Sequence, residues 1–306
     1  MSNLPKVTVG FVNCNRLFYL KSCVESFLET TQDYDNKELI IVDNASIEKG
    51  TDEYLSEKAQ QGITVIKTKD RDPSNEYAKA LNIIVENSTG DYIAPLPADT
   101  QFVVRSGWLE KYVKCMEENP NGIGCITFDA QRTIRNSNEN WGKIIDIGGY
   151  KFRFNPSRNP ILGAANCLFS RKVIDIMYPW EEKNSSHEGG QDSETKMLNK
   201  VRAMNLGLMI LMPVIPTSIG IYNEQGTSAR IRGDKRIGIY FEPKQSYRYY
   251  EIHDYSKLVE RYGKREIPIG IEYMAKSIGW NLPLKKNGEW IKLSASESDK
   301  QPTEYI

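Results

Sequence analysis

Histidine and cysteine are the scarce residues, with two His and five Cys among 306 positions. The cysteines (Cys14, Cys23, Cys115, Cys125 and Cys167) are odd in number and scattered, with no C-x-x-C pair. Such spacing supports neither a disulfide framework nor a zinc site, and it fits a reducing cytoplasm. His187 and His253 stand far apart, so nothing suggests a histidine-rich metal centre. An excess of charge of either sign is also missing: 40 Lys+Arg balance 40 Asp+Glu. No overall field recruits nucleic acid or an anionic membrane, and no basic-aromatic motif marks a nucleic-acid face. No apolar run approaches the roughly 18 residues that span a bilayer, so no transmembrane segment is expected. The opening MSNLPKVTVGFV has no basic stretch ahead of an apolar one, and it reads as a first strand rather than a secretory signal. The expected setting is cytoplasmic, with peripheral attachment to the inner face of a membrane left open.

What is present is a soluble, globular balance, 40% hydrophobic and 26% charged, with enough chain for one large domain or two small ones. The first half alternates. KVTVGFV is a short β-branched strand. In NRLFYLKSCVESFLETT, Leu17, Leu20, Val24, Phe27 and Leu28 fall on one helical face. ELIIVDN is a second strand, residues 51–60 a helix and GITVIKT a third strand. SNEYAKALNIIVEN is a helix for which Ser74 is the expected N-cap, and DYIAPL is a fourth strand. Strand-helix-strand order implies parallel strands joined by right-handed crossovers, covered by helices on both faces.

A further helix, SGWLEKYVKCMEEN, and a strand, IGCITF, follow. Between about 130 and 160 regularity fades to at most a short strand pair, then returns with a strand and helix in CLFSRKVIDIM. The helix SETKMLNKVRAMN and the strand GLMILMPV come next. Residues 216–236 are polar and glycine-punctuated, which suits a lid, 245–280 read as partly helical, and the polar tail is expected to be disordered.

The chemistry-bearing stretch is DYIAPLPADTQF, where an apolar run passes two prolines and presents a single carboxylate, Asp99, beside Thr100. An ordinary strand-to-turn transition explains that stretch when taken alone. Ligands in open α/β sheets, however, gather at the carboxyl ends of the strands. Asp43, closing another strand, would then share a crevice with Asp99.

Five stretches, in this order, resemble the inverting glycosyltransferases of family 2. They are VTVGFVNCNR, ELIIVDNAS, NEYAKALNIIVENSTGDYIAPLPADTQF, GWLEKYVKCMEENPNGIGC and GGQDSET. The resemblance covers roughly residues 5–235 and implies the α/β GT-A fold: a Rossmann-like, mostly parallel central sheet flanked by helices, with a small C-terminal helical extension. It implies a nucleotide-sugar-binding half at 1–130, an acceptor-binding half at 131–240 and an extension at 241–306. The implied reaction moves a sugar from a nucleoside-diphosphate sugar, a UDP- or dTDP-sugar by family habit, to a glycan, lipid-linked or protein acceptor. A divalent cation, Mn²⁺ or Mg²⁺, would neutralise the leaving diphosphate, and a carboxylate would deprotonate the acceptor hydroxyl.

Carried over position by position, Asp43 resembles the carboxylate that hydrogen-bonds the nucleotide base, Asp99 the last aspartate of the metal motif and Asp192 the general base. Glu194 is its substitute. Asn15, Asn82 and Arg230, for nucleotide binding, and Arg171 are weaker candidates. Each has a bland counterpart: a strand-end cap for Asp43, a helix N-cap for Asp192, and a solvated surface charge for the arginines. The metal motif is thinned to Pro97, Ala98 and Asp99, closest to the single-aspartate L-N-x-D-T subset. One or two carboxylates suffice for Mg²⁺ when diphosphate oxygens supply the remainder. Cys14 stands where an aromatic is common, and the later histidine is absent from PTSIGIYNEQGTSAR. A catalytically inactive GT-A domain that binds a nucleotide sugar or glycan is the alternative. A sugar-activating nucleotidyltransferase would want a glycine-rich loop where VNCNRLFYL stands.

Overall fold

The computed structural model describes residues 4–72, 75–98, 100–105, 107–120, 122–128, 144–154, 166–182, 200, 209–220, 252–264, 285–286 and 289–290. The amino-terminal half alternates β1 (Val7–Asn13), α1 (Leu17–Thr30), β2 (Lys37–Asp43), α2 (Thr51–Gln60), β3 (Thr64–Lys67), α3 (Glu76–Glu86) and β4 (Tyr92–Pro97). Short strands β5 (Thr100–Phe102) and β6 (Val104–Arg105) lead to α4 (Trp108–Glu118) and β7 (Ile123–Thr127). A hairpin, β8 (Ile144–Ile147) and β9 (Tyr150–Phe154), occupies the region where sequence regularity fades. Then come β10 (Cys167–Ser170), α5 (Arg171–Met177), β11 (Met209–Pro213), β12 (Ser218–Gly220), β13 (His253–Asp254) and α6 (Tyr255–Tyr262).

Nine strands form one sheet in the order β3-β2-β1-β4-β10-β7-β11-β9-β8. β1 lies parallel to β2 and β4, β2 parallel to β3, and β7 parallel to β11. β10 runs antiparallel to both of its neighbours. The sheet is therefore mixed in its second half, where the sequence reading specified no strand direction.

Both faces are covered. Along β1 and β2, Val7, Val9, Phe11, Leu39 and Ile41 join one hydrophobic cluster, and Val12, Ile40 and Val42 join the other. This period-2 division is what near-continuous apolar strands produce when helices lie on both sides. The first cluster takes in α1, α2, α4 and α6, and the second takes in α3 and α5. Gly10 lets α3 sit close, because a Cβ there would come within 2.4 Å of the Ile84 side chain.

On α1 the buried stripe runs through Tyr19, Leu20, Cys23, Val24 and Phe27. Leu17 and Leu28, expected on it, lie at its margin and are partly buried. Asn75 takes the N-cap position of α3 in place of the expected Ser74, which lies outside the described residues. α6 packs into the main core through Tyr255, Leu258 and Tyr262. Tyr255 stacks on Tyr150 at 3.5 Å between ring centroids, and the Lys151 ammonium donates to the Gly263 carbonyl at 2.9 Å.

Candidate functional site

The parallel register puts several strand ends on one edge. Asn13 is level with Asp43, Asp43 with Lys67, and Val12 with Pro97. The antiparallel β10 starts at this same edge, with Cys167 opposite Thr127. The turns leaving β1 and β2 interlock here. Asn15 adopts a left-handed conformation, φ 49°, which Asn tolerates better than most residues. Its backbone N–H donates to Ser46 Oγ at 2.8 Å, and its Oδ1 accepts from the N–H groups of Ile47 (2.7 Å) and Glu48 (3.2 Å). Glu48 Oε2 in turn accepts from the Leu17 N–H at 2.7 Å. That places a carboxylate on the open amides at the start of α1, where the helix dipole favours it.

Asp43 is fully buried. Asn13 Nδ2 donates to its Oδ1 at 2.7 Å and Ser46 Oγ to the same atom at 2.6 Å, while the Ser46 N–H reaches Oδ2 at 3.0 Å. A carboxylate held by three donors is fixed in direction, which is what recognition of a rigid ligand edge requires.

Cys14 lies between these turns, its Sγ donating to the Asn44 carbonyl at 3.3 Å. Burial pushes the thiol up to about 12, with the nearby Glu76 and Asp43 carboxylates adding to the rise and Arg71 and Arg16 opposing it. The group is therefore an uncharged thiol at neutral pH and adds no negative charge to the corner. Its thiolate fraction at pH 8 is roughly a thousandfold below that of a free cysteine. Native protein treated with iodoacetamide at pH 8 should label at Cys14 at least about a hundredfold more slowly than unfolded protein, read by peptide mass spectrometry. Equal rates would mean that the thiol is not buried as described.

Arg71 and Glu76 form a bidentate pair beside Cys14, at 2.8 and 2.9 Å. Sequence reading did not single out this pair, Asn13 or Glu48, and Ser46 entered only as the last residue of the ELIIVDNAS stretch. Asn13 could have been found from register alone, as the rung opposite Asp43. Arg71 stands four residues past the end of β3, in KTKDRD, and its signal was position at the carboxyl edge rather than any motif.

Further along the same edge, Thr100 Oγ1 donates to Asn166 Oδ1 at 2.7 Å, and the Phe128 N–H donates to the Asn166 carbonyl at 2.9 Å. Asn166 is also left-handed, φ 63°. A packed aromatic group braces this part: Trp108 stacks on Phe102 at 5.4 Å, and Phe27 and Phe128 meet Phe102 edge-on.

Of the residues singled out from sequence, Asp43 and Asn15 come together through Ser46. Asn82 sits elsewhere, on α3. Its Nδ2 donates to the Trp180 carbonyl at 2.9 Å and its Oδ1 accepts from the Trp180 N–H at 2.7 Å. It ties the segment after α5 to α3. Arg171 stands at the opposite end of β4, where its guanidinium donates to the Gly90 and Ser88 carbonyls and to Ser88 Oγ. Asp99, Asp192, Glu194 and Arg230 lie outside the described residues. Among the described residues there is no group of three or more His, Cys, Asp or Glu side chains placed to hold a metal ion, and no helix long and apolar enough to cross a membrane.

Comparison with solved structures returns a mannosyltransferase, PcManGT from Pyrobaculum calidifontis, in complex with GDP-Man and Mn²⁺. It is 17% identical with a TM-score of 0.52, over 76% of this chain and 61% of that one. Another is TarS 1-349 of S. aureus in complex with UDP-GlcNAc, 13% identical with a TM-score of 0.48, over 68% of this chain and 55% of that one. Among curated proteins, an uncharacterized protein, y4gI of Sinorhizobium fredii, is 32% identical over 126 residues. The match spans 41% of this chain and 13% of that protein's length. The first solved structure shares the GT-A arrangement of a large α/β sheet flanked by helices. The family model for glycosyl transferase family 2 matches residues 8–176, more than half of the chain, and the protein belongs to that family.

Proposed function

We propose that this chain transfers a sugar from a nucleoside-diphosphate sugar to an acceptor hydroxyl, with inversion and with the help of a divalent cation. The observation that carries the reading is the buried Asp43 carboxylate, fixed by three donors at the strand edge of a family 2 chain. In this reading Asp43 receives donor groups of the nucleotide base. Asn15 acts as a positioning residue, because it locks the turn that carries Ser46. Asp99, two residues past the rung that pairs Val12 with Pro97, would hold the cation. When bound, that ion would supply charge neutralisation at the diphosphate. Arg230 would add a positive charge there, and Asp192, with Glu194 as its substitute, would take the proton from the acceptor hydroxyl. Inversion follows when the hydroxyl attacks the face opposite the leaving diphosphate.

The test is release of nucleoside diphosphate from a panel of nucleotide sugars with Mn²⁺, with EDTA, and with Mn²⁺ restored. Release should fall at least about a hundredfold in EDTA and return with Mn²⁺. Asp99→Ala should raise the Mn²⁺ concentration needed by about tenfold or more, as expected when an ion loses a carboxylate ligand. Release that ignores both EDTA and Asp99→Ala would remove the cation from the reaction. Absence of release and of nucleotide binding across the panel would leave the inactive-domain alternative.

A further inference from the structure

The corner that holds Asp43 is supplied with more hydrogen-bond acceptors than it uses. Asn13 is 1% exposed, and its Nδ2 donates to Asp43 and Ser46 while its Oδ1 has no partner. The Nδ2 assignment is fixed chemically, since only the amide nitrogen can donate to a carboxylate. Asn44, the next residue after β2, is 2% exposed, and its Oδ1 is also without a partner. Asp43 itself has about four lone-pair sites, of which three are filled. A cation would compete with those three donors, so the remaining capacity suits an N–H group. Buried acceptors left open are costly, and native structures pair them with protein, water or ligand.

Resting on the nucleotide-sugar reading above, we propose that this corner selects a guanine base. The ring N1–H goes to the open lone pair of Asp43, and the 2-amino group goes to Asn13 Oδ1. Guanine presents these two donors side by side on one edge. Uracil and thymine present one N–H between two carbonyl oxygens, and one of those oxygens would be set against the Asn13 carbonyl oxygen, acceptor to acceptor. Adenine and cytosine set an amino group beside a ring acceptor, which meets the same repulsion. The UDP- or dTDP-sugar donor expected from the resemblance is thus disfavoured by Asn13, which lies within VTVGFVNCNR but was not among the candidate site residues.

Titration calorimetry on the full chain with Mn²⁺ tests this, using GDP, inosine diphosphate, UDP and dTDP. Inosine diphosphate keeps the N1–H and lacks only the 2-amino group. GDP should bind about tenfold or more tightly than inosine diphosphate, and more tightly still than UDP or dTDP. Asn13→Ser should reduce the preference for GDP over inosine diphosphate to below about threefold. If that variant fails to fold, the wild-type comparison of the two purines decides alone. Equal affinity for GDP and inosine diphosphate, or tighter binding of UDP or dTDP, would overturn the base assignment and leave the glycosyltransferase reading standing. Failure of every diphosphate to bind would overturn both.

Discussion

Replacing Asp192 by Asn should lower turnover by about 10²- to 10⁴-fold, the usual contribution of a positioned general base, while nucleotide affinity stays within about twofold. The acceptor hydroxyl is a poor nucleophile until its proton leaves, and the proposed inverting displacement offers no covalent intermediate to divide the barrier. The loss therefore belongs to kcat rather than to donor binding. Asp192 and Glu194 are two residues apart in Q-D-S-E-T. On the helix expected to begin at 193, side chains two positions apart do not share a face. On that expectation one of the two addresses the acceptor, and Glu194→Gln should cost less than about tenfold. Steady-state release of nucleoside diphosphate, with and without acceptor, separates the pair. A large loss in Glu194→Gln with normal Asp192→Asn would exchange their roles. A loss in neither would remove the base from this segment.

Much of the sheet was legible because its signals are local. KVTVGFV and ELIIVDN read as strands on β-branched content alone, and each lies within one residue of the strand that forms. Their near-continuous apolar runs announced helices on both faces, as the two clusters divided along β1 and β2 show. The orientation of β10 was not legible, since four residues of CLFS carry no directional information. Its antiparallel setting depends on where the chain returns, which is a property of the whole topology. Asp43 was singled out because a strand that ends in a carboxylate is a sequence-level event, and the structure places it at the carboxyl edge.

Its partners could not be read in the same way. Asn13 meets Asp43 through a register 30 residues apart, and Asn15 reaches Ile47 and Glu48 across a similar span. Asn82 shows the converse. Its place in the NEYAKALN stretch, similar to the family helix N-x-G-x-A-x-A-x-N-x-G, suggested a ligand contact, whereas in the structure the amide hydrogen-bonds the Trp180 backbone 98 residues away. The helix phase put Asn82 on a buried face, and a buried amide is satisfied by whatever backbone packs against it.

Asp43→Asn should destabilise the fold by about 3 kcal/mol and weaken nucleotide binding, and the two effects can be measured separately. Hydrogen bonds to a charged group contribute roughly 1.5–3 kcal/mol each, against about 1 kcal/mol for neutral pairs. The substitution keeps an acceptor at Oδ1 for Asn13 and Ser46 Oγ, so those two bonds weaken without vanishing. At the other position an amide NH₂ meets the Ser46 N–H, leaving two buried donors face to face where a 3.0 Å bond had been. At about 2–4 °C of Tm per kcal/mol, the melting temperature should fall by roughly 6–12 °C, read by circular dichroism. Ser46→Ala, which removes the hydroxyl bond to Oδ1 and the acceptor for the Asn15 N–H and for Asn13 Nδ2 but leaves the Ser46 N–H on Oδ2, should cost less. A Tm change below about 2 °C in Asp43→Asn would mean that the carboxylate is not held by its three donors. Nucleotide binding is then measured well below the lowered Tm, where the variant is folded. The position facing the base has changed from an acceptor to a donor, so an N–H of the base meets an N–H of the protein. Such mismatches reject a ligand more strongly than the loss of apolar contact does, because a buried polar group is left unpaired on each side. Affinity should fall by about a hundredfold. Retention of wild-type affinity in a folded Asp43→Asn protein would confine Asp43 to the strand-end role and move the base site elsewhere along the carboxyl edge.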